Sequence, residues 1–262
     1  MSNPQLISYF AARFITGENF PTIVAARQQA SLILKQPVLP GTALAKLVDE
    51  SVEAGIIRAA RQIVETSMTT HEAYDRLVNL HDRQPALNVR SSTSVLQQAY
   101  STPIPIAFLA SVLAKIDANT TVYEPTAGHG ALLISANPAY ATVNELNPQR
   151  AIDLRSQGYK VTEYDAANYQ PSQKHDRVIC NPPFGVVKVE GQTKRFQLPG
   201  NPRKTTQVDQ AIALLALQSL KDDGRAVLIL GGKLGDDEVR RSERYNSLES
   251  RNFYATLYEQ YN

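Results

Sequence analysis

From Thr42 the chain reads TALAKLVDESVEAGIIRAARQIVETS, in which Leu44, Leu47, Val48, Val52, Ile56, Ala59, Ala60 and Ile63 recur at spacings of three and four. That period lays one apolar stripe along a helix, and Thr42, after Gly41, supplies its N-cap. Weaker stripes predict helices over about residues 3–15, 22–35 and 69–82. The stretch DRQPALNVRSSTS, from Asp82, has a proline and polar residues without periodicity, and it reads as a linker.

Beyond about residue 95 the pattern changes. PIPIAFLASVLAKI predicts a helix starting near Pro105. TTVYE, AYATVNE, YKVTEYD, DRVIC and RAVLILG are β-branched or aromatic runs, each the size of a strand. Helical patterns over residues 130–136, 148–157 and 206–220 separate several of them. This alternation predicts an α/β, Rossmann-like and mostly parallel sheet with helices on both faces. The domains expected are an N-terminal helical region over 1–90 and a sheet domain over 91–262. Such sheets place ligands at the carboxyl ends of their strands, near the switch in strand order.

Composition narrows the picture only a little. The chain has 262 residues, 43% of them hydrophobic, and a net charge of +2, which marks no strongly basic or acidic partner for the chain as a whole. No apolar run approaches the ~18 residues of a membrane span. The start, MSNPQLISYF, lacks a basic region followed by an apolar stretch, so no signal peptide is expected. The lone cysteine, Cys180, excludes an internal disulfide and agrees with an expected cytoplasmic location.

The loop EPTAGHG, Glu124 to Gly130, follows the first strand and is expected to open a helix. Gly128 and Gly130 permit a tight turn and a close ligand approach, and a helix start would offer free N–H groups. A dinucleotide fingerprint would need a third glycine, which is missing here. Glu-x-x-x-Gly-x-Gly instead resembles the first motif of S-adenosylmethionine-dependent methyltransferases. The second strand ends in Glu145, an acid able to accept two ribose hydroxyls. At the third strand end, Asp165 could accept from an adenine amino group, with the Ala166 N–H donating. Each acid alone could be an ordinary loop residue. Three ligand-type positions at three successive strand ends are harder to dismiss.

The fourth strand runs into Asn181-Pro182-Pro183-Phe184. Prolines stop strands, but that accounts for neither Asn181 nor Phe184. A planar amine is a poor nucleophile because its lone pair is delocalised. The Asn181 side-chain oxygen and the Pro182 carbonyl could accept its two hydrogens and turn the lone pair toward a methyl donor. The prolines would stiffen that pair of acceptors, and Phe184 could stack an extruded base. Direct methyl transfer needs no metal. The histidines, His71, His81, His129 and His175, are scattered, and no clustered metal ligands are expected.

With this signature the chain resembles N6-adenine DNA methyltransferases over about residues 96–235. The glycine loop precedes the tetrad by about fifty residues, the order of the gamma group, which includes modification subunits of type I systems. VYEPTAGHGALL, NPPFG and GRAVLILGGKLG are also similar to the methyltransferase-like domain of strawberry-notch-type helicase proteins of phages and plasmids. The resemblance implies a class I methyltransferase sheet with S-adenosylmethionine as cofactor. It implies a cofactor site at Thr102, Pro103, Glu124, Pro125, Ala127, Gly128, Gly130, Glu145, Asp165, Ala166 and Asn181. It also implies DNA as partner.

The resemblance is incomplete, because little chain follows RAVLIL to build a target-recognition domain. The chain is therefore expected to be a fragment, a subunit that borrows recognition from further domains or subunits, or a silent cofactor- or DNA-binding domain of a larger helicase or antirestriction assembly. Glutamine side chains and RNA bases also present planar nitrogens to such tetrads and remain alternative acceptors. Residues 185–206 read as a long loop carrying Lys188, Lys194, Arg195, Arg203 and Lys204 against Glu190, a net of +4. It could meet phosphates, with Phe196 either inserting between bases or anchoring the loop. RRSER, from Arg240, reads as ordinary surface, and GGKLG, from Gly231, as a turn without P-loop spacing.

Overall fold

The computed structural model describes residues 4–86, 101–200, 202–231 and 247–261. Four helices come first: α1 (Pro4–Ile15), α2 (Ile23–Leu34), α3 (Ala43–Thr66) and α4 (Thr70–Arg83). Local chemistry sets their starts. Thr22, Thr42 and Thr69 each accept a hydrogen bond from the backbone N–H three residues on, satisfying a donor the helix cannot. Glu72 reaches back to accept from Met68 N at 2.9 Å.

The α3 stripe is buried from Val48 onward, whereas Leu44 and Leu47 are only partly covered. Burial also extends beyond the stripe, to Ala54, Gly55 and Ile57, because α1 crosses α3 there. Gly55 makes that crossing possible. An added Cβ would lie 2.8 Å from Phe10 Cβ, 3.0 Å from Ala11 N and 3.2 Å from Ile7 O. Leu6, Phe10 and Phe14 pack with Val52, Ile56, Leu77 and Leu80, and the same core takes in Ile104, Phe108 and Ile134.

The second half begins with α5 (Ile104–Leu113). Five strands then form one sheet: β1 (Val122–Glu124), β2 (Ala141–Asn144), β3 (Lys160–Thr162), β4 (His175–Cys180) and, after two small hairpins, β9 (Leu220–Leu228). Their order is β3-β2-β1-β4-β9 and every pairing is parallel. The expected Rossmann-like architecture is therefore the one observed. Helices α6 (Pro148–Ser156) and α7 (Val208–Leu217) connect strands, and α8 (Leu248–Gln260) closes the described chain. Val122, Ala141, Val143, Leu132, Leu133 and Leu154 share a core beside the sheet.

Three expectations change. The helix expected at 130–136 is a three-residue 3-10 turn, Ala131–Leu133, so no long helix dipole points at the glycine loop. The last strand starts at Leu220, five residues before Arg225, with a register shift opposite His175 and Arg177. The long loop after the tetrad folds into two hairpins, β5/β6 (Lys188–Val189, Gln192–Thr193) and β7/β8 (Phe196–Gln197, Lys204–Thr205). Most of the expected linker, and Arg240 to Arg244, lie outside the described residues.

The α1–α3 crossing is directly testable. Gly55→Ala gains up to about 1 kcal/mol of helix propensity, yet its methyl group meets backbone atoms of α1. A net loss of roughly 1–3 kcal/mol is expected, seen as a lower Tm. An unchanged or raised Tm would show that the helices do not meet at this residue.

Candidate active site

The switch in strand order falls between β1 and β4. A cavity of about 520 Å³ opens at their carboxyl ends. Its walls are the segments that leave the strands, so the site follows from topology before any side chain is considered.

The glycine loop forms one wall. Gly128 and Gly130 have φ of +58° and +87°, values that favour glycine. An added Cβ on Gly128 would meet nothing within 4 Å, so a ligand can approach the backbone there. Gly130 is different. Its missing side chain faces Leu154 and Tyr159, at 3.4 and 3.5 Å, and the residue does not line the cavity. Gly130 is therefore required by the turn, and a larger side chain there would strain the core rather than obstruct a ligand.

Asn144 fixes the loop to its neighbours. Its Nδ2 donates to the carbonyls of Pro125 and Tyr164, and its Oδ1 accepts from Tyr164 N and the Thr162 hydroxyl. One buried amide thus joins three strand ends. Glu145 accepts from Gly128 N at 2.8 Å and from Asn147 N at 2.7 Å. Burial raises its pKa, and those N–H groups and Arg150 oppose the rise. Asp165 accepts from Ala167 N and Asn168 Nδ2 while lining the cavity beside Ala166. Glu124 is 2% exposed, and its Oε2 has no hydrogen-bond partner. Burial, then the nearby Glu145 charge, lift its pKa well above the usual carboxylate range.

The opposite wall is the tetrad. Asn181, Pro182, Pro183 and Phe184 all line the cavity. The Asn181 Nδ2 donates to Thr102 Oγ1 at 2.8 Å, which fixes the orientation of the amide. Its Oδ1 is then buried without a partner. A buried acceptor left empty costs ~1–3 kcal/mol, and such atoms concentrate where a ligand completes the bond. Behind the tetrad, the Asp209 carboxylate accepts from Gly185 N and Gly231 N, at 3.4 and 3.0 Å. Gly231 permits close packing, since an added Cβ would sit 3.0 Å from Phe184 Cβ. Cys180 is fully buried in β4, and burial raises its thiol pKa, as suits a packing residue.

Most of the residues named from sequence thus converge: Thr102, Glu124, Pro125, Ala127, Gly128, Glu145, Asp165, Ala166 and the tetrad share one cavity. Pro103 does not line it. It is exposed at the start of α5, so its role is to begin that helix. In the basic hairpins, Lys188 lines the cavity, and Arg195 and Lys204 are exposed. Lys194 Nζ lies 4.0 Å from Asp165 and 4.9 Å from the Phe196 ring centre. Arg203 pairs with Glu259 of α8. Phe196 is 5% exposed and packs with Ala166, Val208 and Ile212. It anchors its hairpin and offers no face for stacking or insertion between bases.

Sequence reading missed the contribution of α3. His129, in the glycine loop, is 4% exposed; its Nε2 lies 3.0 Å from Glu50 and its Nδ1 3.0 Å from Asp153. Arg150 donates to both Glu50 oxygens, at 2.7 and 3.0 Å, and Arg58 to Asp153 at 2.7 Å. Arg61 donates to the carbonyls of Leu133 and Ala136 and to the Tyr159 hydroxyl. Glu53, also on α3, reaches the cavity wall. The structure thus gathers Glu50, Glu53 and His129 into a group that could hold a cation, although no clustered ligands were expected. Arg150 and His129 already answer the charge of Glu50. The only hint in the sequence was the run of charged residues along one face of α3, which also suits plain solvent exposure.

No family model and no curated protein matches the chain. Among solved structures it is similar to TrmN from Thermus thermophilus, with 17% identity over 51% of this chain and 40% of that one, at a TM-score of 0.35. It is similar to PH1948 of Pyrococcus horikoshii, provisionally named an RNA methyltransferase, with 22% identity, coverage of 67% and 78%, and a TM-score of 0.41. A Thiobacillus denitrificans S-adenosylmethionine-dependent methyltransferase, in complex with S-adenosyl-L-homocysteine, gives 18%, 64% and 67%, and 0.35. The chain thus spans less than half of the Thermus protein. With every score below 0.5, the chemistry rests on this chain's own residues.

The His129 clamp has a pH signature. Burial disfavours the charged ring, but hydrogen bonds to Asp153 and Glu50 override it, and the pKa is pushed up to about 9 from an ordinary 6.5. The folded value exceeds the unfolded one, so the stabilisation is complete below pH 6.5 and is lost as pH rises through about 9. Wild type should therefore lose stability relative to His129→Gln across that window, by on the order of 3 kcal/mol. Parallel curves of Tm against pH for the two proteins would refute a charged clamp.

Proposed function

We propose that this chain transfers a methyl group from S-adenosylmethionine to the N6 amine of adenine in DNA, as a domain or subunit whose target recognition comes from elsewhere. The buried, unpartnered Oδ1 of Asn181 at the cavity wall carries the reading. The cavity volume lies within the ~300–1,000 Å³ of small-molecule sites. Its residues suit the cofactor: Asp165 and Ala166 for the adenine, Glu145 for the ribose, Gly128 for close backbone approach and Glu124, with its empty Oε2, for a further hydrogen bond to the ligand. Bound S-adenosylmethionine would supply an electrophilic methyl carbon on a positively charged sulfur.

The protein's part is orientation and electrostatics. Asn181 Oδ1 accepts one hydrogen of the acceptor amine, and the Pro182 carbonyl accepts the other. Both acceptors draw the nitrogen toward a tetrahedral shape and raise the availability of its lone pair. Thr102 holds the Asn181 amide by its nitrogen, which leaves Oδ1 for the acceptor amine. The proline pair and Asp209 hold the backbone still, so little reorganisation accompanies the reaction. Phe184, at the cavity wall, offers a flat face to an extruded base.

A nucleic-acid acceptor is favoured by Lys188 at the cavity and by Arg195 and Lys204 on the neighbouring hairpins, which can meet phosphates beside a flipped nucleotide. Asn181→Ala should keep cofactor affinity within about threefold while lowering transfer by about 10²-fold or more. The measurement pairs calorimetry with transfer of labelled methyl to separate DNA, RNA and protein pools. Undiminished transfer by the variant would remove Asn181 from the chemistry. Label entering RNA or protein alone would reassign the acceptor.

A further inference from the structure

The cofactor reading leaves one carboxylate without a role. Around the glycine loop, Glu50 is matched by Arg150 and His129, and Asp153 by His129 and Arg58. Glu53 belongs to the same group but makes no close ion pair among the described residues; Arg150 and His129 feel its charge only from farther off. Its one hydrogen bond there is from the Ser101 hydroxyl to Oε1, at 2.6 Å. Glu53 nevertheless lines the cavity, and its carboxylate lies within 4.8 Å of the ligand atoms of Glu50 and His129. The nearly fully buried Glu124, with its empty Oε2, faces the same space. The cavity therefore presents one carboxylate, Glu53, outside any ion pair among the described residues, and one acceptor, Glu124 Oε2, without a partner.

The three substituents on a sulfonium centre explain what that charge is for. The methyl group must point at Asn181, where the acceptor amine is held. The adenosine branch must run toward Glu145 and Asp165, at the ends of β2 and β3. The remaining branch, the amino-acid tail, is left the space over the glycine loop. Ser101 and Thr102 adjoin that space, with Ser101 bonded to Glu53 and Thr102 to Asn181. Glu53 therefore stands where the tail's ammonium group would arrive.

We propose, resting on the cofactor reading above, that Glu53 of the N-terminal helical region receives the α-ammonium group of bound S-adenosylmethionine, which makes α3 part of the cofactor site. The contact is a charge-assisted hydrogen bond. It explains why α3 is tied so firmly to the loop: Glu50 and Arg58 fix the helix in register, and Glu53, one turn from Glu50 and on the same side, is carried to the pocket.

The test uses two ligands and the full chain. S-adenosyl-L-homocysteine carries the ammonium group, whereas 5′-methylthioadenosine keeps the adenosine and sulfur but has no amino-acid tail. Calorimetry should show that Glu53→Gln weakens the first by about tenfold or more and leaves the second unchanged. The second ligand also verifies that the variant is folded. Unchanged affinity for both ligands would overturn the contact, and an equal loss for both would reduce Glu53 to a structural residue. Failure of wild type to bind either ligand would instead overturn the cofactor reading, and this proposal with it.

Discussion

The switch between β1 and β4 is the constraint on which the rest of the molecule depends. Two adjacent parallel strands send their following segments to opposite sides of the sheet, and a gap opens above their ends. The glycine loop leaves one strand into that gap, and the Asn-Pro-Pro-Phe segment leaves the other. Neither could form the site alone. Gly128 needs an opposing wall to make a pocket, and Asn181 needs Thr102, 79 positions earlier, to aim its amide.

The helical region is more than a cover over this arrangement. The glycine loop is followed by a three-residue turn rather than a long helix, so it lacks the usual support on its C-terminal side. The His129 ring, clamped between Glu50 and Asp153, replaces that support with bonds to α3 and α6. Such a network is costly when half satisfied and stiff when complete. Arg150 and Arg58 answer the two carboxylates that hold the ring, which explains how so many charges lie close together beneath the loop.

Periodicity made most of the architecture legible. The 3.6-residue stripe marked α3 and the β-branched runs marked the strands, because each element buries one side against a shared core. The chemistry at the strand ends was legible too, since Asn181, Glu145 and Asp165 each follow a strand within three residues. What was hidden depended on distance along the chain. Nothing local to Glu50 indicates a bond to His129, 79 residues away, or to Arg150, 100 residues away. Gly130 was misread, and Phe196 left open between two roles, for a related reason. A glycine can serve the turn or the ligand, and a phenylalanine can face either side of a hairpin, and only packing decides. The two small hairpins escaped notice because two-residue strands have no period to detect.

On the proposed function, a methyl donor and an acceptor clamp share one rim of the sheet. A crystal structure of this chain with S-adenosyl-L-homocysteine tests it most directly. The ligand should lie over the glycine loop, its sulfur turned toward Asn181 Oδ1 and its adenosine lying past Glu145 toward Asp165. A ligand seated elsewhere, or one in this cavity with its sulfur turned away from Asn181, would show that donor and acceptor clamp do not share a site.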